Sequence, residues 1–123
     1  MKPEDESWMG QMREAAREAL LFAEGHRRQS LKDDRRTQLA IVGALIAMSE
    51  SASRVSLEMQ TLHRQIPWAD IIGLRHHLQL GFYEVDPEVA WITVRDELTP
   101  VVEALTSALP ALSLSQIQKK KAA

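Results

Sequence analysis

Apolar residues recur along the chain at three- and four-residue intervals, the spacing of one face of an amphipathic helix. The first run predicts a helix over residues 7–28, with Ser7 as its N-cap. A second run predicts a long helix over residues 34–63. The predicted helix is about eight turns long and its apolar stripe is regular over about six of them, which favours packing at a shallow angle in a helical bundle. The stripe consists of Ile41, Leu45, Met48, Ala52, Val55, Met59 and Leu62.

Small polar residues interleave this second stripe, namely Ser49, Ser51, Ser53 and Ser56. Small side chains at helical spacing allow another helix to approach closely. That helix could belong to the same chain or to a second subunit, and the sequence leaves both possibilities open.

Two further helices follow, each introduced by a proline. The third is predicted over residues 67–83, and the fourth begins with Asp86 as N-cap and Pro87 in the first turn. Pro100 lies inside the fourth helix and cannot donate to the carbonyl four residues before it. The pattern therefore predicts a kink there, or a stop and a restart capped by Thr99. Four amphipathic helices with short connections predict an all-α, up-down four-helix bundle.

The composition agrees with a single small globular domain. The 123 residues are 45% hydrophobic and 26% charged, and good helix formers dominate. We expect one domain over residues 1–110, followed by a flexible basic tail over residues 111–123. The net charge of −2 and the pI of about 6.1 exclude a whole-molecule attraction to nucleic acid, although a local basic surface is compatible with them.

Missing residue types and motifs narrow the function further. The chain has no cysteine, so disulfides and thiolate chemistry are excluded, and a reducing compartment fits. It has no signal-peptide region and no apolar run long enough to cross a membrane, so we expect a soluble, cytoplasmic protein. There is no HExxH motif and no glycine-rich phosphate loop. Because His76 and His77 point about 100° apart on a helix, they chelate poorly, and no metal or cofactor is expected.

The segment from residue 66 to residue 91, IPWADIIGLRHHLQLGFYEVDPEVAW, carries a more specific pattern. It resembles the HepT-like branch of the HEPN superfamily, small helical toxins encoded beside minimal nucleotidyltransferase antitoxins. The family pattern reads approximately IPW-x-x-IIG-x-RN-x-LVHGYF-x-VD-x-x-x-VW. The chain matches it without a gap at Ile66, Pro67, Trp68, Ile71, Ile72, Gly73, Arg75, Leu78, Gly81, Val85, Asp86 and Trp91. The family's second helix is matched upstream at Asp34, Arg35, Thr37, Gln38, Glu50, Ala52 and Ser56.

This resemblance implies an activity, an assembly and a partner. Family members cleave RNA without a metal, using an Arg, usually followed by Asn, and a His four to six residues further on. An Arg can hold a phosphate bidentately, and a His can move protons to and from the ribose 2′-hydroxyl and the leaving oxygen. In the family's homodimer, two copies of the motif face one cleft. A Tyr two positions after the His accepts AMP from the partner nucleotidyltransferase, which silences the toxin.

The chain departs from the family pattern at the residues of this chemistry. Arg75 is present. His76 stands at the Asn position, Leu80 at the His position and Phe82 at the Tyr position. A proton-transferring His contributes about 10²- to 10⁴-fold in rate, so Leu80 predicts weak or absent ribonuclease activity. Phe82 has no hydroxyl, and Tyr83, the remaining AMP-acceptor candidate, is expected to point about 100° away on the helix and to be modified poorly.

Three interpretations of the function follow. In the first, the protein keeps the fold, the homodimer and the binding of the nucleotidyltransferase but has lost the nuclease. In the second, it is an active ribonuclease in which Arg75 works with His76 or His77. In the third, it is a helical interaction module with no link to RNA. The first two place Arg75 in a cleft near the dimer axis, with one of the two histidines close by.

Overall fold

The computed structural model describes residues 1–81 and 84–109, and all structural statements concern these residues. The tail predicted over residues 111–123 lies outside them. In chain order the elements are α1 (Pro3–Ala23), α2 (Arg28–Lys32), α3 (Arg35–Ser53), α4 (Leu57–Leu62), α5 (Trp68–Leu78), the strands β1 (Gln79–Gly81) and β2 (Glu84–Val85), α6 (Pro87–Ile92), a π-helical turn (Thr93–Glu97) and α7 (Leu98–Ala108).

Four long helical segments pack around one core. α1 packs mainly against α3, α3 against α5 and α7 against α1, while α6 lies beside α5. The π-helical turn joins α6 and α7 into the fourth segment, so the predicted all-α bundle is confirmed. The described helices include none that is long and apolar enough to cross a membrane. The largest fully buried side chains are Met9, Met12, Leu31, Ile41, Leu45, Met48, Ile66, Leu78, Leu98 and Leu105.

The first helix starts and ends earlier than predicted. α1 begins at Pro3, where the missing N–H of a proline leaves no helical hydrogen bond unmade. Three carboxylates in its first turn lie at the positive end of the helix dipole and favour this start. The prediction of Ser7 as N-cap is therefore wrong. The helix ends at Ala23, and Gly25 takes a φ of 80° in the turn that follows, a conformation that favours glycine.

The predicted second helix is divided into two helices. α3 ends at Ser53, and Ser56 takes an extended conformation and caps α4 by accepting a hydrogen bond from the Met59 N–H at 3.3 Å. The first six residues of the predicted apolar stripe are buried. The seventh, Leu62, is 65% exposed because the break changes the helical register before it. The prediction of a single helix over residues 34–63 is therefore wrong at the break, whereas six of its seven predicted core positions are correct.

The third helix ends at Leu78 rather than at residue 83. The chain then enters the short antiparallel pair β1–β2. The Leu78 carbonyl, at the end of the helix, accepts a hydrogen bond from the Asp86 N–H at 2.8 Å, which closes the hairpin against the helix. Asp86 also caps α6, as predicted, because its Oδ1 accepts hydrogen bonds from the N–H groups of Glu88 and Val89.

A π-helical turn precedes Pro100, the position where a kink in the fourth helix was predicted. The Leu98 N–H donates to the Thr93 carbonyl five residues earlier. Pro100 falls in the first turn of α7, where its missing N–H interrupts no hydrogen bond of that helix. The alternative of a restart capped by Thr99 is wrong, because Glu97 occupies the N-cap position of α7.

Candidate functional site

The first block of the family-like segment anchors the start of α5. Ile66 and Trp68 are 1% and 7% exposed, so both belong to the core. The Trp68 indole Nε1 donates a hydrogen bond to the His63 carbonyl at 2.9 Å and holds the turn before the helix. These residues fix where α5 begins, and they thereby position the exposed residues at its other end.

A second family-like group fastens the start of α3. The Asp34 carboxylate accepts hydrogen bonds from the Thr37 N–H at 3.0 Å and from the Thr37 hydroxyl at 2.8 Å. These bonds lower the pKa of Asp34 below its ordinary value of 3.8. Gln38 is buried, and its Nε2 donates to the carbonyls of Leu31 and Lys32 at 2.7 and 2.8 Å. The group therefore ties α2 to α3 and has a structural task.

One hydrogen bond between α3 and α5 orients the helix that carries the motif. Ser49 is 4% exposed and donates its hydroxyl to the Ile72 carbonyl at 2.9 Å. Of the two possibilities left open for the serines, Ser49 therefore shows a contact with a helix of the same chain. The periodicity did not single out this bond, and the only signal was the position of Ser49 next to the apolar stripe. The buried face of α5 consists of Trp68, Ile71, Leu74 and Leu78.

Arg75, His76 and His77 lie together in the last turn of α5, and all three are exposed. A cation is favourable there because the C-terminal end of a helix carries the negative end of its dipole. No carboxylate among the described residues forms an ion pair with Arg75. At 100° per residue, His76 points about 100° and His77 about 160° away from Arg75. The guanidinium is thus available to an external anion, with His76 as the nearer histidine.

His77 belongs to a different face of α5, where a cleft separates the helix from the fourth helical segment. This cleft has a volume of about 400 Å³, and its lining includes Asp70, Gly73, His77, Thr93 and Glu97 but not Arg75. This cleft, formed by described residues, therefore contains His77 without Arg75. The predicted placement of Arg75 near a dimer axis stays a prediction, since it depends on a second copy. No group of three or more metal-ligating side chains is found in residues 1–81 and 84–109.

The remaining motif positions follow the end of α5. The backbone of Leu80 lies in β1, so the expectation that the third helix carries this residue is wrong. The hairpin closed by the Asp86 N–H ends the helix before that position. Phe82 and Tyr83 lie outside the described residues.

Comparison with known proteins places the chain in a family. Residues 12–108 match the family model described as Ribonuclease HepT-like, so the protein belongs to the HepT-like ribonuclease family. It is similar to the Probable ribonuclease HepT of Thermococcus cleftensis, with 31% identity over 65 residues. The alignment covers 53% of this chain and 59% of that protein, so the chain spans little more than half of the length of this relative. No solved structure matches.

Proposed function

We propose that this protein is the HepT-like component of a cytoplasmic toxin–antitoxin pair and that its ribonuclease site is degenerate. It binds RNA weakly, cleaves it slowly or not at all, and keeps both a homodimer and the binding of a minimal nucleotidyltransferase antitoxin. One observation carries this proposal: an exposed Arg75 accompanies a leucine, Leu80, at the position of the family's His, within the stretch that matches the family model.

Arg75 supports the part of the proposal that concerns RNA. Its side chain is exposed at the end of α5 and is not engaged by any carboxylate of the described residues. A guanidinium can donate two parallel hydrogen bonds to one phosphate. We expect weak binding of single-stranded RNA that falls as salt rises, because each phosphate contact releases counterions.

Leu80 supports the loss of cleavage. An alkyl side chain can neither accept the proton of the 2′-hydroxyl nor donate one to the leaving oxygen, and a general acid–base group contributes about 10²- to 10⁴-fold. The backbone at position 80 follows the helix end that carries Arg75, only two residues after Leu78. The Leu80→His change is therefore expected to restore cleavage in part. Restoration stays incomplete because His76 occupies the position where the family has Asn.

The first alternative is an active ribonuclease. The position of His76 on α5 supports it. His76 is exposed beside Arg75 in the same helical turn, and an imidazole can serve as the proton-transferring group. His77 is the weaker candidate because it lines the cleft on another side of the helix. The two adjacent histidines therefore form a matched pair of test positions. A helical interaction module without any link to RNA is the third possibility.

A cleavage assay on labelled single-stranded RNA, with EDTA present, separates these functions. Under the proposal the unmodified protein leaves the RNA intact, Leu80→His cleaves it, and adding Arg75→Ala to Leu80→His abolishes that cleavage. Cleavage by the unmodified protein that His76→Ala removes and His77→Ala preserves would establish the active ribonuclease. An unmodified protein that does not bind RNA, with a Leu80→His variant that does not cleave it, would leave only the interaction module.

The regulatory half of the proposal concerns the position of the family's Tyr. Phe82 cannot accept AMP, because a phenyl ring has no hydroxyl. The Phe82→Tyr change is expected to create an acceptor for a nucleotidyltransferase encoded beside this protein, detected as the mass of one added AMP. Tyr83→Phe is the matched control. AMP on the unmodified protein that disappears in Tyr83→Phe would contradict this expectation.

A further inference from the structure

A separate cleft lies between α1 and α3, and no residue of α5 lines it. Its volume is about 860 Å³, within the range of ligand-binding clefts. Small residues form part of its lining, including Gly10 of α1 and Ala47 of α3. A Cβ at Gly10 would meet nothing within 4 Å, so another backbone can approach closely there. The small residues define the shape of the cleft, and its polar groups decide what it can bind.

A row of carboxylates borders this cleft along α1. Glu6, Glu14 and Glu18 all line it, and together with Gly10 they follow one another at four-residue intervals along α1. Glu14 is paired with Arg17 at 3.1 Å. Glu6 and Glu18 form no ion pair within residues 1–81 and 84–109. The two unpaired carboxylates lie about 18 Å apart along the helix axis. They give the cleft a negative rim that attracts cations.

One polar group in the lining of the cleft, Ser51, points independently to a ligand. Ser51 lines the cleft, is only 6% exposed, and its hydroxyl bonds to none of the described residues. Buried donors in proteins are nearly always paired. The cleft therefore has room for an external hydrogen-bond acceptor as well as for cations.

We propose that the α1/α3 cleft binds a helix of a partner protein. This helix carries lysines or arginines at four-residue intervals, alanine-sized residues between them, and one side-chain amide. The basic residues pair with Glu6 and Glu18, and the small residues pass over Gly10 and Ala47. The amide oxygen accepts a hydrogen bond from the Ser51 hydroxyl. The inference is independent of the proposed function, because none of these residues belongs to the α5 site.

A labelled peptide provides the test. The probe is a fluorescein-labelled alanine-based peptide with a lysine at every fourth position and one central glutamine. Its binding to the whole protein is measured by fluorescence anisotropy. We expect saturable binding that weakens with salt. Glu6→Gln combined with Glu18→Gln is expected to weaken it at least about threefold. Glu24→Gln combined with Glu103→Gln makes the same change of charge at exposed positions outside the cleft and is expected to leave affinity unchanged.

A shape variant completes the test. Ala47 is exposed, so Ala47→Leu fills the cleft without disturbing the core and is expected to abolish binding while the circular dichroism spectrum stays unchanged. The proposal is overturned if the peptide does not bind, or if both glutamine pairs weaken it equally, which would indicate unspecific attraction. It is also overturned if Ala47→Leu lowers the mass of the free protein in light scattering, because the cleft would then be occupied by a second copy of the chain.

Discussion

Trp68, Gln38 and Asp86 belong to the segments that resemble the family, and each has a structural task in this chain. The first two are buried and hydrogen-bonded, and the third caps α6 and closes the hairpin. Arg75 is exposed and forms no hydrogen bond or ion pair with the residues that the structure describes. A family match that is supported by structural residues does not depend on the residues of the family's chemistry. The match over residues 12–108 and the leucine at position 80 are therefore compatible.

Two glycines test how backbone conformation contributes at single positions. Gly43 lies inside α3, is exposed, and has no atom within 4 Å of the place of a Cβ. Gly43→Ala is expected to raise the free energy of unfolding by about 0.5–1 kcal/mol, because alanine restricts the unfolded chain. Gly25→Ala is expected to lower it by about 1–2 kcal/mol, because φ is 80° there. Urea unfolding measures both, and a change of the same sign in the two variants would contradict this account.

At the scale of elements, one polar contact joins the first turn of α1 to the start of α4. The Asp5 carboxylate accepts hydrogen bonds from the Ser56 N–H at 2.8 Å and from the Ser56 hydroxyl at 2.7 Å, and Asp5 is 4% exposed. Because Asp5 lies near the start of α1 and Ser56 follows the end of α3, the contact also fixes the antiparallel arrangement of these two helices. It makes Ser56 a point where three elements meet.

The Ser56→Ala change is expected to lower the free energy of unfolding by about 1–3 kcal/mol. It removes the N-cap of α4 and one of the two hydrogen bonds to a buried carboxylate. Ser53→Ala is the matched control, because Ser53 is exposed and its hydroxyl donates only to the Glu50 carbonyl of its own helix. We expect that change to stay within about 0.5 kcal/mol. Equal losses in the two variants, measured by urea unfolding, would argue against this role of the contact between Asp5 and Ser56.

The same contact gives a pH dependence of known sign. The hydrogen bonds from Ser56 lower the pKa of Asp5 below its ordinary value of 3.8. The folded state therefore favours the ionised form, and this stabilisation is fully present above the unfolded pKa and disappears as pH falls through the lowered folded pKa. The difference in stability between the unmodified protein and Asp5→Asn is expected to shrink as pH falls below 3.8. A difference that stays constant between neutral pH and pH of about 2 would contradict this assignment.

The elements also show what the sequence could predict and why it failed elsewhere. The apolar stripe from Ile41 to Met59 was predictable because burial of one face repeats with the helical period. The break before Ser56 was not, because it depends on Asp5, which is distant in sequence. The end of α5 was missed for the same reason, since the Asp86 N–H that closes it comes after the hairpin. Asp86 as a cap was predictable because capping is local.

At the scale of the whole molecule, Arg75 lies outside the cleft that the described residues form beside α5. Arg75 and His76 lie on an exposed helix end, and the described cleft beside α5 belongs to His77 instead. The family pattern supplied candidate residues for the site. It could not predict their relative directions, because these depend on where α5 stops and how Ser49 orients it. A further protein surface is needed to enclose Arg75 in a cleft. The family resemblance implies that a second copy of the chain provides this surface.

We therefore predict that the protein is a homodimer in solution, with the two Arg75 side chains facing one cleft. Light scattering at micromolar concentration is expected to give twice the chain mass of 13.9 kDa. If the site is formed by both copies, the cleavage restored by Leu80→His should fall, per protomer, on dilution below the dissociation constant of the dimer. The melting temperature should rise with protein concentration, because dimerisation stabilises the folded state by mass action. A mass of 13.9 kDa together with cleavage that does not depend on dilution would show that each protomer carries a complete site by itself.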